Sequence, residues 1–101
     1  MRDAKVVTSL FLTACLVYAG YELVKVEVDG QNKQCYAVLV PEAEYGQFRD
    51  DYHAGRLQIA DAQSLGKAYA QVARIVRDIR RGGVWVNPDY TRLQQELSRT
   101  R

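Results

Sequence analysis

The chain has 101 residues, of which 48% are hydrophobic and 26% are charged, and its formal net charge is only +2. This length allows one small domain, and the absence of internal repeats and low-complexity stretches argues against fibrous or largely disordered architectures. No base-reading element or nucleic-acid-binding motif can be recognised, so specific nucleic-acid binding is not expected.

The chain begins with an uncharged and largely apolar run from Val6 to Tyr21. As a single helix this run would cover about 24 Å, somewhat less than the roughly 30 Å hydrocarbon core of a bilayer. A thin bilayer narrows that gap, so we interpret residues 1–21 as a single-pass membrane anchor and residues 22–101 as a small α+β domain. The residues expected to contact the membrane are Phe11, Leu12, Leu16, Val17 and Tyr18.

Three other interpretations of this run stay open. It is alternatively a buried first helix, which would make the protein soluble and cytoplasmic. A cleaved export signal is the second alternative, because Val17-Tyr18-Ala19 resembles a small-residue cleavage site. In the third, Leu12-Thr13-Ala14-Cys15 resembles the lipobox of bacterial lipoproteins, in which Cys15 would be the lipidated residue. Basic residues flank both ends of the run, so the side of the membrane stays undetermined.

A β-hairpin is predicted directly after the apolar run. Leu23 to Val28 alternates apolar and polar side chains, as a half-buried strand does, and Asp29-Gly30 is a strong turn signal. Cys35 to Val40 is a second β-rich run that ends at Pro41. The two runs predict antiparallel strands that are joined by a loop of about five residues.

A helix is predicted from residue 41 to about residue 53, because proline suits the first turn of a helix. Helical spacing places three aromatic residues of this segment on one face, namely Tyr45, Phe48 and Tyr52. We interpret this aromatic stripe as the cover of the hairpin, since amphipathic packing is the usual meaning of such spacing. A stacking platform for bases or sugars is the alternative.

The strongest helical pattern runs from Ala62 to Arg81, with Asp61 as its N-cap and Gly82-Gly83 as its stop. Val84 to Val86 is a short extended segment, and Asn87-Pro88 is typical of the start of a last short helix. The apolar side of that last helix contains Tyr90, Leu93 and Leu97. Together these elements predict an α+β fold with an N-terminal apolar helix, a β-hairpin and two or three further helices.

Charge is divided unevenly along the chain. Residues 22–61 contain four basic and eight acidic residues, a net charge of −4, whereas residues 62–101 contain eight basic and three acidic residues, a net charge of +5. The two halves can neutralise each other by packing together, or an anionic lipid or an acidic protein can neutralise the basic half. The candidate anion-binding or partner-binding residues are Lys67, Arg74, Arg77, Arg80 and Arg81. A solvated helix face is the alternative.

Trp85 is the single tryptophan and lies in the short extended segment between two predicted helices. It either closes the last helix on the core or forms an exposed hot spot that anchors a partner. A small core has a particular need for one large aromatic residue, which favours the first role.

The sequence contains no catalytic or metal-binding motif. His53 is the single histidine, and together with Cys35 it lacks both the spacing of a metal site and an orienting motif for a nucleophile. Cys15 and Cys35 lie in different parts of the chain and are not expected to form a disulfide. We therefore expect no enzymatic activity, no metal and no cofactor.

These features predict a small, non-enzymatic accessory subunit that is associated with a membrane through its N-terminal run. Its charged domain would dock on a larger protein complex. The alternative is a soluble single-domain binding module, for example an inhibitor or a regulator, in which the N-terminal helix belongs to the core. In that case the basic helix or Trp85 makes the contact with the partner.

Overall fold

The computed structural model describes residues 2–79 and 82–89 of the chain. Helices and strands alternate irregularly along these two ranges, which is typical of an α+β protein. In chain order the elements are β1 (Arg2–Val7), α1 (Leu10–Tyr18), β2 (Glu22–Val28), β3 (Gln34–Pro41), α2 (Glu42–His53), α3 (Ala62–Asp78) and β4 (Val84–Val86).

The strands form one sheet in the order β1-β3-β2-β4, and each neighbouring pair is antiparallel. Because β1 and β2 both run antiparallel to β3, they are parallel to each other and lie on its two sides. Helix α1 connects them, which makes the first part of the chain a split β-α-β unit. The predicted α+β class is confirmed, but strand β1 was not predicted and the first helix follows a strand.

The apolar run does not form a single helix. Its first two residues, Val6 and Val7, belong to β1, and Ser9 then caps α1 by accepting a hydrogen bond from the Leu12 N–H at 3.1 Å. Nine helical residues cover only about 14 Å. Within residues 2–79 and 82–89, no helix is long and apolar enough to cross a membrane. The prediction of a single-pass membrane segment is therefore wrong.

The hydrophobic core cluster lies on one face of the sheet. Strand register aligns Val7, Tyr36, Val26 and Trp85 in a row across all four strands. Half-buried residues from α1, α2 and α3 pack against the cluster that contains this row, so the described helices cover one face, here called the helix face. The buried members of the cluster are Val7, Leu12, Leu16, Leu23, Val26, Tyr36, Val38 and Val72.

The opposite face of the sheet, here called the open face, displays a second row across the strands. This row consists of Val6, Ala37, Lys25 and Val86. The two valines are exposed and lie on the two edge strands, and Lys25 forms an ion pair with Glu27 at 2.6 Å. The open face therefore combines exposed aliphatic side chains with a central ion pair.

Helix α1 is the centre of the helix layer. Leu12 and Leu16 belong to the buried cluster, and the buried Thr13 hydroxyl donates to the Ser9 carbonyl at 2.7 Å. The Tyr18 hydroxyl accepts a hydrogen bond from the Asp61 backbone N–H at 3.1 Å, which joins the end of α1 to the start of α3. The N-terminal run therefore contributes to the same core as the rest of the described chain.

The hairpin and the next two helices agree with the predictions made from local patterns. Strands β2 and β3 pair across the loop at residues 29–33, with a bulge between Leu23 and Lys25. Asp61 caps α3 by accepting the N–H groups of Gln63 and Ser64. Helix α3 ends at Asp78 rather than at the predicted Arg81. Other predictions concern Arg80, Arg81, Tyr90, Leu93 and Leu97, which lie outside the described residues.

Candidate functional site

Trp85 is the middle residue of β4 and lies opposite Val26 on the helix face. Its side chain is half-buried and packs against the core cluster. Backbone hydrogen bonds hold the ends of β4 against β2, from Gly82 N–H to the Val28 carbonyl at 2.7 Å and from Asn87 N–H to the Val24 carbonyl at 2.9 Å. The tryptophan is thus fixed in place by a short but well-bonded strand.

Two depressions lie on either side of Trp85, between β4 and α3. One has a volume of about 350 Å³ and the other about 310 Å³, and Ile75 and Trp85 line both of them. Apolar floors come from Val72 and Leu23 in the first and from Ile79 in the second. We call the two depressions together the Trp85 groove.

Polar groups lie at the ends and along the rim of the Trp85 groove. Asn87 is held rigidly, because its side-chain amide donates to the Leu23 carbonyl at 2.9 Å and its side-chain oxygen accepts the Asp89 N–H at 2.9 Å. Gln71 of α3 and the carboxylate residue Glu22 of β2 line the first depression, and Asp78 of α3 lines the second. The groove therefore has an apolar floor, one fixed amide and a polar helical rim, which is the usual composition of a binding site.

The predicted basic residues of α3 lie beside this rim. At 100° per residue, Lys67 and Arg74 are within about 60° of Gln71 around the helix axis, whereas Arg77 is about 120° away and points further from the groove. All three side chains are exposed. Helical geometry thus places Lys67 and Arg74 on the side of α3 next to the rim, although neither residue lines the groove. Their position beside it was not predicted, because the groove depends on the pairing of β4 with β2.

The acidic half of the chain does not neutralise these cations in the described ranges. Each ion pair found there lies outside α3 and β4, namely Lys5–Glu42, Lys25–Glu27, Arg49–Asp50 and Arg56–Asp51. Among residues 2–79 and 82–89, no carboxylate lies within 4.0 Å of the charged groups of Lys67, Arg74 or Arg77.

The aromatic stripe of α2 packs against the core cluster, as its interpretation as the cover of the hairpin requires. One member, Tyr52, contacts Phe11 edge to face with ring centroids 6.1 Å apart, and Phe11 in turn contacts Tyr69 at 6.2 Å. Phe11 is 49% exposed. A depression of about 200 Å³ opens beside these rings, and the buried Cys15 contributes to its wall.

The cysteines and the histidine do not form a reactive group. Cys15 is buried in the middle of α1, and burial raises the pKa of its thiol above the ordinary value, which disfavours the reactive thiolate. Cys35 is exposed on the open face, whereas His53 lies at the end of α2 and stacks on Tyr52. In the described part of the chain no three potential metal ligands come together. Lipidation of Cys15 stays a prediction.

No protein-family model, no curated protein and no solved structure matches this chain. The functional argument therefore depends on the geometry and charge of the chain itself. By those criteria the Trp85 groove is the strongest candidate site, since it alone combines a half-buried tryptophan, a rigid amide and nearby unneutralised cations among the described residues.

Proposed function

We propose that this protein is a non-enzymatic single-domain binding module, an inhibitor or a regulator, that docks on an acidic segment of a larger protein. The docking site in this proposal is the Trp85 groove together with Lys67 and Arg74. The observation that supports it most strongly is that two exposed cations of α3, with no ion-pair partner among residues 2–79 and 82–89, lie on the side of the helix next to the rim of an apolar groove.

Two physical arguments favour a protein partner. Tryptophan is the residue type most enriched in interaction hot spots, because it brings a large apolar surface and one hydrogen-bond donor into a contact. Unneutralised cations beside such an anchor accelerate the approach of an acidic partner and disfavour a basic one. An anionic lipid surface offers charge as well, but a concave groove of a few hundred Å³ admits a protruding side chain better than a flat bilayer.

The proposal can be tested with the full chain and a library of 15-residue peptides. Each peptide has acidic flanks and randomised apolar residues in the middle, and none contains tryptophan. Because Trp85 is the single tryptophan, its fluorescence reports directly on the groove. We expect selected peptides to shift the Trp85 emission, and we expect Arg74→Glu to weaken their binding about tenfold.

The matched control is Lys33→Glu, which reverses an exposed cation in the β2–β3 loop, away from the groove. It should leave peptide affinity within about twofold, since it changes the net charge equally but not the local charge. An equal loss of affinity in both variants, or binding without a change in Trp85 emission, contradicts the proposed site. Vesicles that contain 30% phosphatidylserine are titrated in parallel, and a Trp85 shift with vesicles but with no peptide replaces the protein partner by a lipid surface.

A further inference from the structure

Strand β1 lies at one edge of the sheet. All six of its residues pair with β3 in an uninterrupted register, from Arg2 opposite Pro41 to Val7 opposite Tyr36. Within the described residues nothing pairs with its other edge. Of the devices by which proteins prevent pairing at an exposed edge, the strand carries charged residues but neither a proline nor a bulge. Its free backbone N–H and C=O groups can therefore accept a strand whose charges complement its own.

We propose that β1 pairs antiparallel with β1 of a second copy of this chain, which joins two sheets into one eight-stranded sheet around a two-fold axis. In such an isologous contact, residue i of one copy lies opposite residue j of the other, and the sum of the two residue numbers is the same for every pair. Side chains alternate between the two faces of a strand, so only an even sum keeps both helix layers on one side of the joined sheet.

The charged residues of β1 favour one register among those in which the paired residue numbers have an even sum. A sum of 8 places Ala4 opposite Ala4 and pairs the cationic residue Lys5 with the anionic residue Asp3, twice by symmetry. A sum of 10 places Lys5 opposite Lys5, and a sum of 6 places Asp3 opposite Asp3 with a shorter overlap. Opposite charges across a strand pair stabilise it and like charges destabilise it, so the sequence of β1 is complementary to itself in the register centred on Ala4.

The exposure of Val6 supports the same contact. Val6 lies on the open face of β1 and is 69% exposed, the highest value among the large hydrophobic residues of the described chain. In the register centred on Ala4 it lies directly opposite Arg2 of the second copy and diagonally across from Ala4, so the added strand covers part of its side chain. Stacking two open faces is less favourable, because the Lys25–Glu27 ion pair in the middle of that face would lose its water.

The register can be tested by crosslinking the full chain. In a Cys35→Ser background, which removes the native exposed thiol, Ala4→Cys should form a disulfide-linked dimer in air. The two Ala4 Cα atoms are expected about 4.5–5.5 Å apart across the pair, within disulfide range. Val6→Cys is the matched control, since it is on the same strand and face, but its two copies are at least about 13 Å apart. Equal crosslinking by both variants contradicts the register.

Sedimentation equilibrium of the full chain with its native cysteines reduced tests the charge argument. Lys5→Glu should weaken dimerisation about tenfold, and Asp3→Lys combined with Lys5→Glu should restore it, because the swapped charges are again complementary. Glu42→Gln removes the Lys5–Glu42 ion pair within one copy and should leave dimerisation unchanged. A chain that stays monomeric at several hundred micromolar while its thermal unfolding is normal overturns the proposal, as does a dimer that is insensitive to Lys5→Glu.

Discussion

Tyr36 shows how one polar group is accommodated in the core. Its side chain is fully buried on β3, and its hydroxyl donates to the Gln34 side-chain oxygen at 2.6 Å. Burial, and to a lesser extent the nearby Tyr69 and Cys35, raise the pKa of Tyr36 to about 12. The hydrogen bond satisfies the neutral phenol, whereas the ionised form would be a buried charge without compensation.

This raised pKa predicts a loss of stability at alkaline pH. In the unfolded chain Tyr36 ionises near pH 10, but in the folded chain it stays protonated up to about pH 12. The stabilising contribution is therefore complete below pH 10 and is lost between pH 10 and about 12, by about 2–3 kcal/mol. Urea unfolding at several pH values measures this loss.

Tyr36→Phe is the variant that isolates the effect. It should be about 1 kcal/mol less stable than the wild-type chain at neutral pH, because a buried hydrogen bond is lost. Its stability should then decline less than that of the wild type between pH 10 and 12. Tyr45→Phe, which alters a half-buried tyrosine of α2, should keep the wild-type decline. A parallel decline in Tyr36→Phe and the wild-type chain would assign the loss to other groups.

At the scale of single elements, α1 depends on its first residues. Thr8 and Ser9 separate β1 from the helix, and serine favours helix N-caps over helix interiors. The Ser9 hydroxyl accepts a hydrogen bond from the Leu12 N–H, and the Ser9 carbonyl accepts one from the Thr13 hydroxyl. The cap therefore decides where an apolar run with no clear periodicity changes from strand to helix.

Ser9→Ala should lower the free energy of unfolding by about 1 kcal/mol, since the Leu12 N–H loses its side-chain partner. Thr8→Ala is the control, because Thr8 is exposed and is not the capping residue. Chemical denaturation with circular dichroism detection compares the two. A Ser9→Ala variant as stable as Thr8→Ala would show that packing alone determines the start of α1.

The same scale explains which elements the local pattern predicted. Strand β2 alternates cleanly, the Asp29-Gly30 turn sets the hairpin, and Asp61 caps α3 as expected. Strand β1 lacked such a signal, because charged residues occupy half of its six positions and its last two residues merge with the apolar run. Alternation, caps and turns depend on residues close together in the chain, so they can be predicted from the sequence. The pairing of β1 with β3 depends on distant residues and cannot be predicted in this way.

At the scale of the whole molecule, β1 and α1 complete both layers of the fold. Without them β3 would lose the strand on one side, and the core would lose Leu12 and Leu16. The sequence predicted that the N-terminal run is a segment separate from the domain, but in the structure the run contacts β3 and α3. A core of this size gives only a small free energy of unfolding, so the loss of these contacts is expected to prevent folding.

A fragment of residues 22–101 should therefore fail to fold. We expect it to lack a cooperative thermal transition by circular dichroism, whereas the full chain unfolds cooperatively. Leu16→Ala provides a graded comparison, because deleting one fully buried side chain should cost about 2–5 kcal/mol without removing β1. Cooperative unfolding of the fragment at a temperature near that of the full chain would show that the N-terminal run is not part of the core.

By itself the sequence determined the α+β class, the hairpin, the two later helices and the uneven charge, because each depends on residues that are close together in the chain. Tertiary structure alone decided the position of the apolar run, since uniform hydropathy is equally compatible with lipid and with a protein core. It also decided the groove: Trp85 lines it together with Ile75 because β4 pairs with β2, and Trp85 and its strand partner Val26 are distant in sequence.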